Sequence, residues 1–147
     1  MLDPFCGCGT TIAAAQRLDR RWIGIDITHL AVGLVKHRLR DTFGDGVAYE
    51  VIGEPRDIAG ALELAAQNKF QFQCWALGLV GARPKGEVKK GADQGVDGRR
   101  YFFADPTPSA KVQTIILQVK GRHVGAKDVR DLLGTVESEG AAIGVLI

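Results

Sequence analysis

The stretch from Gly91 to Gly121 constrains this chain most. A β-like run leading through Arg99-Arg100-Tyr101-Phe102-Phe103 and a second from Val112 to Lys120 flank the turn Asp105-Pro106-Thr107-Pro108-Ser109. That pattern predicts an antiparallel hairpin. A turn centred between Pro108 and Ser109 sets Asp97 opposite Lys120. Side chains alternate along a strand, so Gln118 shares the face of Lys120. The spacing thereby gathers a carboxylate, an amide oxygen and an ammonium at one end of a sheet, groups suited to a hard metal ion and a phosphate.

The surroundings of the hairpin follow from periodicity. Phe72, Trp75 and Leu79 recur at helical spacing, so Phe70 to Val80 reads as a helix although its first residues alternate like a strand. Beyond Gly121, Val129, Leu132, Leu133 and Val136 form the apolar stripe of a helix over 126–139. Gly140 ends it, and Ala141 to Ile147 reads as an apolar strand. The order is helix, hairpin, helix, strand. Together with Gly95-Val96-Asp97-Gly98 as a Gly-x-Asp-Gly element and Gln118-Val119-Lys120 as Gln-x-Lys, residues 70–147 resemble the restriction-endonuclease-like (PD-(D/E)XK) α/β fold, specifically the Mrr-type nucleases.

The resemblance implies metal-assisted hydrolysis of DNA, with Asp97, Gln118 and Lys120 catalytic, and Asp97 and Gln118 holding Mg2+. The residue types suit those roles. Magnesium takes one or two carboxylates and keeps several waters, and an ammonium can orient the attacking water or neutralise charge on a phosphoryl oxygen. Nucleases of this group commonly add a Glu from the preceding helix, where this chain has Gln71 and Gln73. Glu63 and Glu87 are candidate substitutes that fit no motif. A second reading therefore stays open, a DNA-binding module without hydrolysis that grips DNA through Arg99, Arg100, Lys120, Arg122 and the basic loop of Arg83, Lys85, Lys89 and Lys90. That loop is either a solvated linker or a phosphate-tracking segment.

The N-terminal part carries a different signal. Gly7 and Gly9 permit a tight turn directly before a helix predicted from Ile12 to Leu18, and a strand from Trp22 to Ile27 places Asp26 where a carboxylate can take ribose hydroxyls. Ile12 stands where a dinucleotide fingerprint needs its third glycine, which disfavours NAD. Asp3-Pro4-Phe5-Cys6-Gly7-Cys8-Gly9-Thr10-Thr11 resembles the Asp-Pro-Phe-x-Gly-x-Gly-Thr-Thr motif of DNA amino-methyltransferases, with Cys8 at a position that is more usually Ser. The resemblance implies S-adenosylmethionine as cofactor, its methionine end lined by Asp3, Phe5, Gly7, Gly9 and Thr10 and its ribose held by Asp26. The Asp-Pro-Pro-Tyr-like motif that such enzymes use to hold the target base is absent from the sequence. In one class it precedes the cofactor loop, so a truncated methyltransferase, unable to transfer methyl groups alone, is expected. A small-molecule methyltransferase is a third alternative.

Thr28 is expected to cap a helix to about Phe43, followed by a short strand from Tyr49 to Ile52, a boundary at Glu54-Pro55-Arg56, and a helix capped by Asp57 to about Asn68. The basic residues Lys36, Arg38 and Arg40 read as a solvated face. The resulting division is a partial Rossmann-like methyltransferase segment over 1–53, a helical connector over 54–69 and a nuclease-like domain over 70–147. The formal net charge of +2 does not by itself argue for nucleic acid. An odd number of cysteines, three, suggests reduced thiols in a cytoplasmic protein. No apolar run approaches the roughly 20 residues that span a bilayer. A methyltransferase and a nuclease on one polypeptide suggest a restriction–modification enzyme acting on DNA.

Overall fold

The computed structural model describes residues 1–85, 95–105, 107 and 110–147. The chain is an α/β protein that forms two compact units, Met1–Trp75 and Ala76–Ile147. Among the described residues no helix is long and apolar enough to cross a membrane.

In the first unit, β1 (Leu2–Asp3) and β2 (Ile23–Gly24) pair in parallel and are joined by α1 (Thr10–Arg17). The expected strand over 22–27 is thus shorter in its ladder, although Ile25 still bonds the Asp3 carbonyl at 2.9 Å. Helix α2 (His29–Phe43) begins where Thr28 was expected to cap it, the hydroxyl accepting the Ala31 amide at 3.2 Å. Such a cap is worth about 1 kcal/mol. A 3-10 turn over Gly44–Gly46 ends α2. The strand expected from Tyr49 to Ile52 does not form. The segment joins neither edge of the β1–β2 pair; Tyr49 instead packs against the Trp22 ring with centroids 6.3 Å apart. Helix α3 (Ile58–Gln67) is capped by Asp57, and α4 (Lys69–Leu79) begins in this unit.

The second unit contains a sheet of order β3-β4-β5-β6, made of Arg83–Pro84, Gly98–Phe103, Val112–Gln118 and Ile143–Leu146, with α5 (Ala126–Ser138) between the last two strands. β4 and β5 form the expected antiparallel hairpin, and β5 and β6 run parallel. Two cores lie on opposite faces of the sheet because neighbouring side chains of a strand point opposite ways. Leu117 packs with Leu77 and Ala82, whereas Ile116 packs with Val96 and Leu132. Burying each of these larger side chains contributes about 1.5–3 kcal/mol. Arg83 and Pro84 pair with β4, so the segment expected to open a basic loop starts as an edge strand.

The hairpin register differs from expectation by two residues. Gly98 faces Leu117 and Phe103 faces Val112, so Lys120 is not opposite Asp97. The chain curls around Thr107, whose amide bonds the Asp105 carboxylate and whose carbonyl accepts the Ala110 amide. The turn centre proposed between Pro108 and Ser109, and the candidates Glu87, Lys89 and Lys90, lie outside the described residues. A slip of two residues keeps each side chain on its face, because the alternation has period two.

Candidate functional site

Asp97 stands at the entrance to β4. Its amide bonds the carbonyl of Leu117, the residue Gly98 already faces, so two residues oppose one, the arrangement of a β-bulge. Bulges re-aim side chains. Here the Asp97 carboxylate reaches across the sheet, Oδ2 accepting the Val119 amide at 2.6 Å. The acid of one strand is thereby fixed to the residue lying between Gln118 and Lys120.

Gln118 is buried, at 3 % exposure, and its Oε1 has no hydrogen-bond partner among the described residues. Buried polar atoms are almost always satisfied, and an orphan oxygen costs about 1–3 kcal/mol. Gly95, at φ 71°, makes room for this amide: a Cβ there would lie 2.8 Å from Gln118 Nε2. The glycine is thus required twice, by its left-handed backbone and by the closeness of Gln118. Lys120 follows the end of β5, its amide bonding the Ile147 carbonyl at 2.8 Å. Its charge is near enough to Asp128 to help hold that carboxyl in its ionised form.

Among the described residues, no group of three or more His, Cys, Asp or Glu side chains converges as a metal site. Glu63 is exposed on α3 and accepts a bond from Gln67, and Gln71 Oε1 accepts the His29 amide at 2.9 Å, both in the first unit. Within the second unit, the oxygen donors assigned from the sequence at the strand end are Asp97 and the Gln118 amide.

Outside the basic loop, Arg99, Arg100 and Arg122, three of the basic side chains assigned to DNA contact, have protein partners. Arg99 forms an ion pair with Glu139, Arg100 bonds the Val80 carbonyl, and Arg122 makes a two-pronged contact to Asp128 at 2.6 and 3.0 Å. Asp128 is a residue that periodicity missed. The helix α5 was expected to bury Val129 and Leu133, yet these are 55 % and 57 % exposed, while Asp128 is 5 % exposed. The Arg122 hydrogen bonds, then the Gly125 amide, pull the Asp128 carboxyl down to about 2. The signal that could have found it is its place three residues after Gly125, where an acid can reach back to the start of a helix.

In the first unit the glycine-rich loop is closed on itself. Gly9, at φ 78°, starts α1, and a Cβ on it would lie 2.7 Å from Val35 Cγ2. Asp3 Oδ1 accepts the Phe5 amide at 3.2 Å, and Phe5 is 85 % exposed. Asp26, the residue assigned to ribose, accepts the Gly7 amide at 3.0 Å and the Thr28 amide and hydroxyl, each at 2.9 Å. Partial burial raises its carboxyl, but these hydrogen bonds outweigh it and the net shift is downward. Two carboxylate oxygens offer about four acceptor positions, and beside these three bonds the Ile27 amide also lowers the carboxyl. Arg38 is exposed, as expected of a solvated face, and its Nε donates to the Cys8 carbonyl at 2.8 Å while a terminal nitrogen lies 3.5 Å from Cys8 Sγ. The contact with Thr10, outweighing slight burial, and the Arg38 charge lower the Cys8 thiol.

Residues 1–36 match the DNA methylase family model, and residues 70–147 match a restriction endonuclease family model. The chain is 46 % identical over 50 residues to a type II methyltransferase, M.EcaI, of Enterobacter cloacae, which covers 32 % of this chain and 11 % of that protein. The chain therefore spans about a tenth of the length of that relative. No solved structure matches the chain. Because the second family model covers just over half of the sequence, from the start of the α4 helix to Ile147, the chain belongs to the restriction endonuclease family, with a DNA methylase segment preceding that domain.

Proposed function

We propose that residues 70–147 hydrolyse DNA phosphodiesters with a hard divalent cation, Mg2+, and that residues 1–53 form the S-adenosylmethionine loop of a DNA amino-methyltransferase, the two joined by a connector over 54–69. The observation that carries the nuclease reading is the orphan Gln118 Oε1, buried beside the strand-end bulge from which Asp97 reaches across to Val119. An anionic and an amide oxygen are the donor types a hard cation accepts, so the residues present fit. Asp97 and Gln118 would hold the ion, which when bound supplies charge stabilisation and a more acidic water. Asp97 is kept in place by the Val119 amide. Lys120 orients the attacking water or neutralises charge on a phosphoryl oxygen.

For the methyl donor, the fit rests on the loop. A Cβ at Gly7 would meet nothing within 4 Å, which leaves room for a ligand against the backbone, and Phe5 offers an uncovered ring. Asp3, Phe5, Gly7, Gly9 and Thr10 would line the methionine end. Asp26 would take a ribose hydroxyl while its bonds to Gly7 and Thr28 hold the loop.

The single carboxylate favours a second reading, a DNA-binding module without hydrolysis. Supercoiled plasmid incubated with Mg2+ or Mn2+ separates the two. Nicking by the wild type that is lost in Asp97→Ala and Lys120→Ala supports hydrolysis; binding by all three proteins without any nicking would leave only the binding module.

A further inference from the structure

Helix α5 buries an acid alongside Leu132, while two other apolar side chains of its stripe stay outside. Val129 and Leu133 remain more than half exposed, whereas the Asp128 side chain, 7 % exposed, turns inward toward the chain segment that follows Lys120. Packing alone gives no reason for this choice, since burying a carboxylate is unfavourable unless it is paired. Its partner is Arg122, which is 63 % exposed and bonds both carboxylate oxygens. Arg122 also donates to the His123 carbonyl at 2.9 Å. Among the described residues these three bonds leave two of the five N–H groups of a guanidinium uncommitted. The arrangement anchors the inner edge of an arginine on a rigid acid and leaves its remaining donors toward solvent, two residues beyond Lys120. A two-pronged guanidinium of fixed orientation suits a phosphate better than a freely rotating cation.

We infer that Asp128 is a positioning residue that fixes Arg122 as a clamp for a DNA backbone phosphate next to the one Lys120 faces. The inference rests on the reading of this unit as DNA-acting. It predicts a sign that simple electrostatics reverses. Removing a negative charge near bound DNA should strengthen non-specific binding, whereas releasing Arg122 should weaken it.

The test is binding of a short duplex to the full chain, without metal, over a series of salt concentrations and at a temperature where thermal melts show each variant folded. For Asp128→Asn we expect several-fold weaker binding and a slope of log affinity against log salt shallower by about 0.9, the loss of one phosphate contact. Arg122→Gln should do the same, and the double variant should lose no more than either alone. Arg122→Lys, which keeps the charge and tests the clamp even if Asp128→Asn does not fold, should also bind more weakly than wild type. Asp128→Asn binding as tightly as wild type or tighter, additive losses in the double variant, or Arg122→Lys equal to wild type would overturn the clamp while leaving the DNA-acting reading intact. A wild-type chain showing no salt-dependent binding would overturn both.

Discussion

Asp97 Oδ2 accepts the Val119 amide at 2.6 Å, so the acid at the entrance to one strand of the hairpin is bonded to the backbone between Gln118 and Lys120 at the end of the other. The bond has two separable consequences. Asp97→Ala leaves the Val119 amide without this acceptor, and a lost bond to a charged group costs about 1.5–3 kcal/mol. Urea denaturation should show that loss together with the loss of plasmid nicking. Asp97→Asn retains an oxygen for the amide, so it should recover much of the stability while nicking stays at background.

Gln118 should behave oppositely. Its Oε1 is buried without a partner among the described residues, so Gln118→Leu is expected to keep stability within about 1 kcal/mol of wild type. DNA cleavage should nevertheless disappear. Gln118→Glu adds a carboxylate to a carboxylate-poor site, and nicking should then reach half-maximal rate at a lower Mg2+ concentration. A Gln118→Leu protein that still nicks would remove Gln118 from the site.

Gly95→Ala combines a left-handed backbone with a Cβ 2.8 Å from Gln118 Nε2. Strain of this kind is of order 1–3 kcal/mol. The midpoint of thermal unfolding should fall, and cleavage should fall more steeply than stability because the displaced group is Gln118. Gly134→Ala, where a Cβ meets nothing within 4 Å, is the matched control and should be silent or slightly stabilising.

The Asp128 carboxyl is drawn down to about 2 from an ordinary value of 3.8, first by Arg122 and then by the Gly125 amide. A group depressed in the folded state contributes stability that is complete above its unfolded value and disappears as pH falls through its folded value. The contribution of Asp128 should therefore fade between about pH 4 and pH 2. Acid unfolding of Asp128→Asn should be flatter over that window than that of the wild type. Parallel curves would mean that the pair does not form in solution.

Cys8 is exposed, its thiol lowered by Thr10 and, after slight burial, by Arg38, while burial raises the Cys74 thiol. Iodoacetamide followed by peptide mass analysis should label Cys8 well before Cys74, since the thiolate is the reacting form. Arg38→Ala should slow the labelling of Cys8. Equal rates in the two proteins would place Arg38 away from the loop.

Local chemistry was legible without coordinates. Thr28 and Asp57 cap their helices because a side-chain oxygen three residues before a free amide acts within a single turn. The hairpin, the helix at 69–79 and the alternation that puts Ile116 and Leu117 in different cores likewise follow from spacing alone. So did the motifs by which both families were recognised.

What required the tertiary structure was every choice among several locally acceptable partners. Residues 49–52 have a strand-like composition but join no ladder, Tyr49 packing on the Trp22 ring instead. The hairpin register depended on where the turn closed, and the bulge at Asp97 on a single amide bonding the carbonyl that its neighbour already faced. Helix α5 presents both an apolar stripe and Asp128; Leu132 and Val136 of the stripe pack in the core, but Asp128 is buried with them while Val129 and Leu133 are left out, because Arg122 and the Gly125 amide neutralise the buried acid, a compensation that arises between segments.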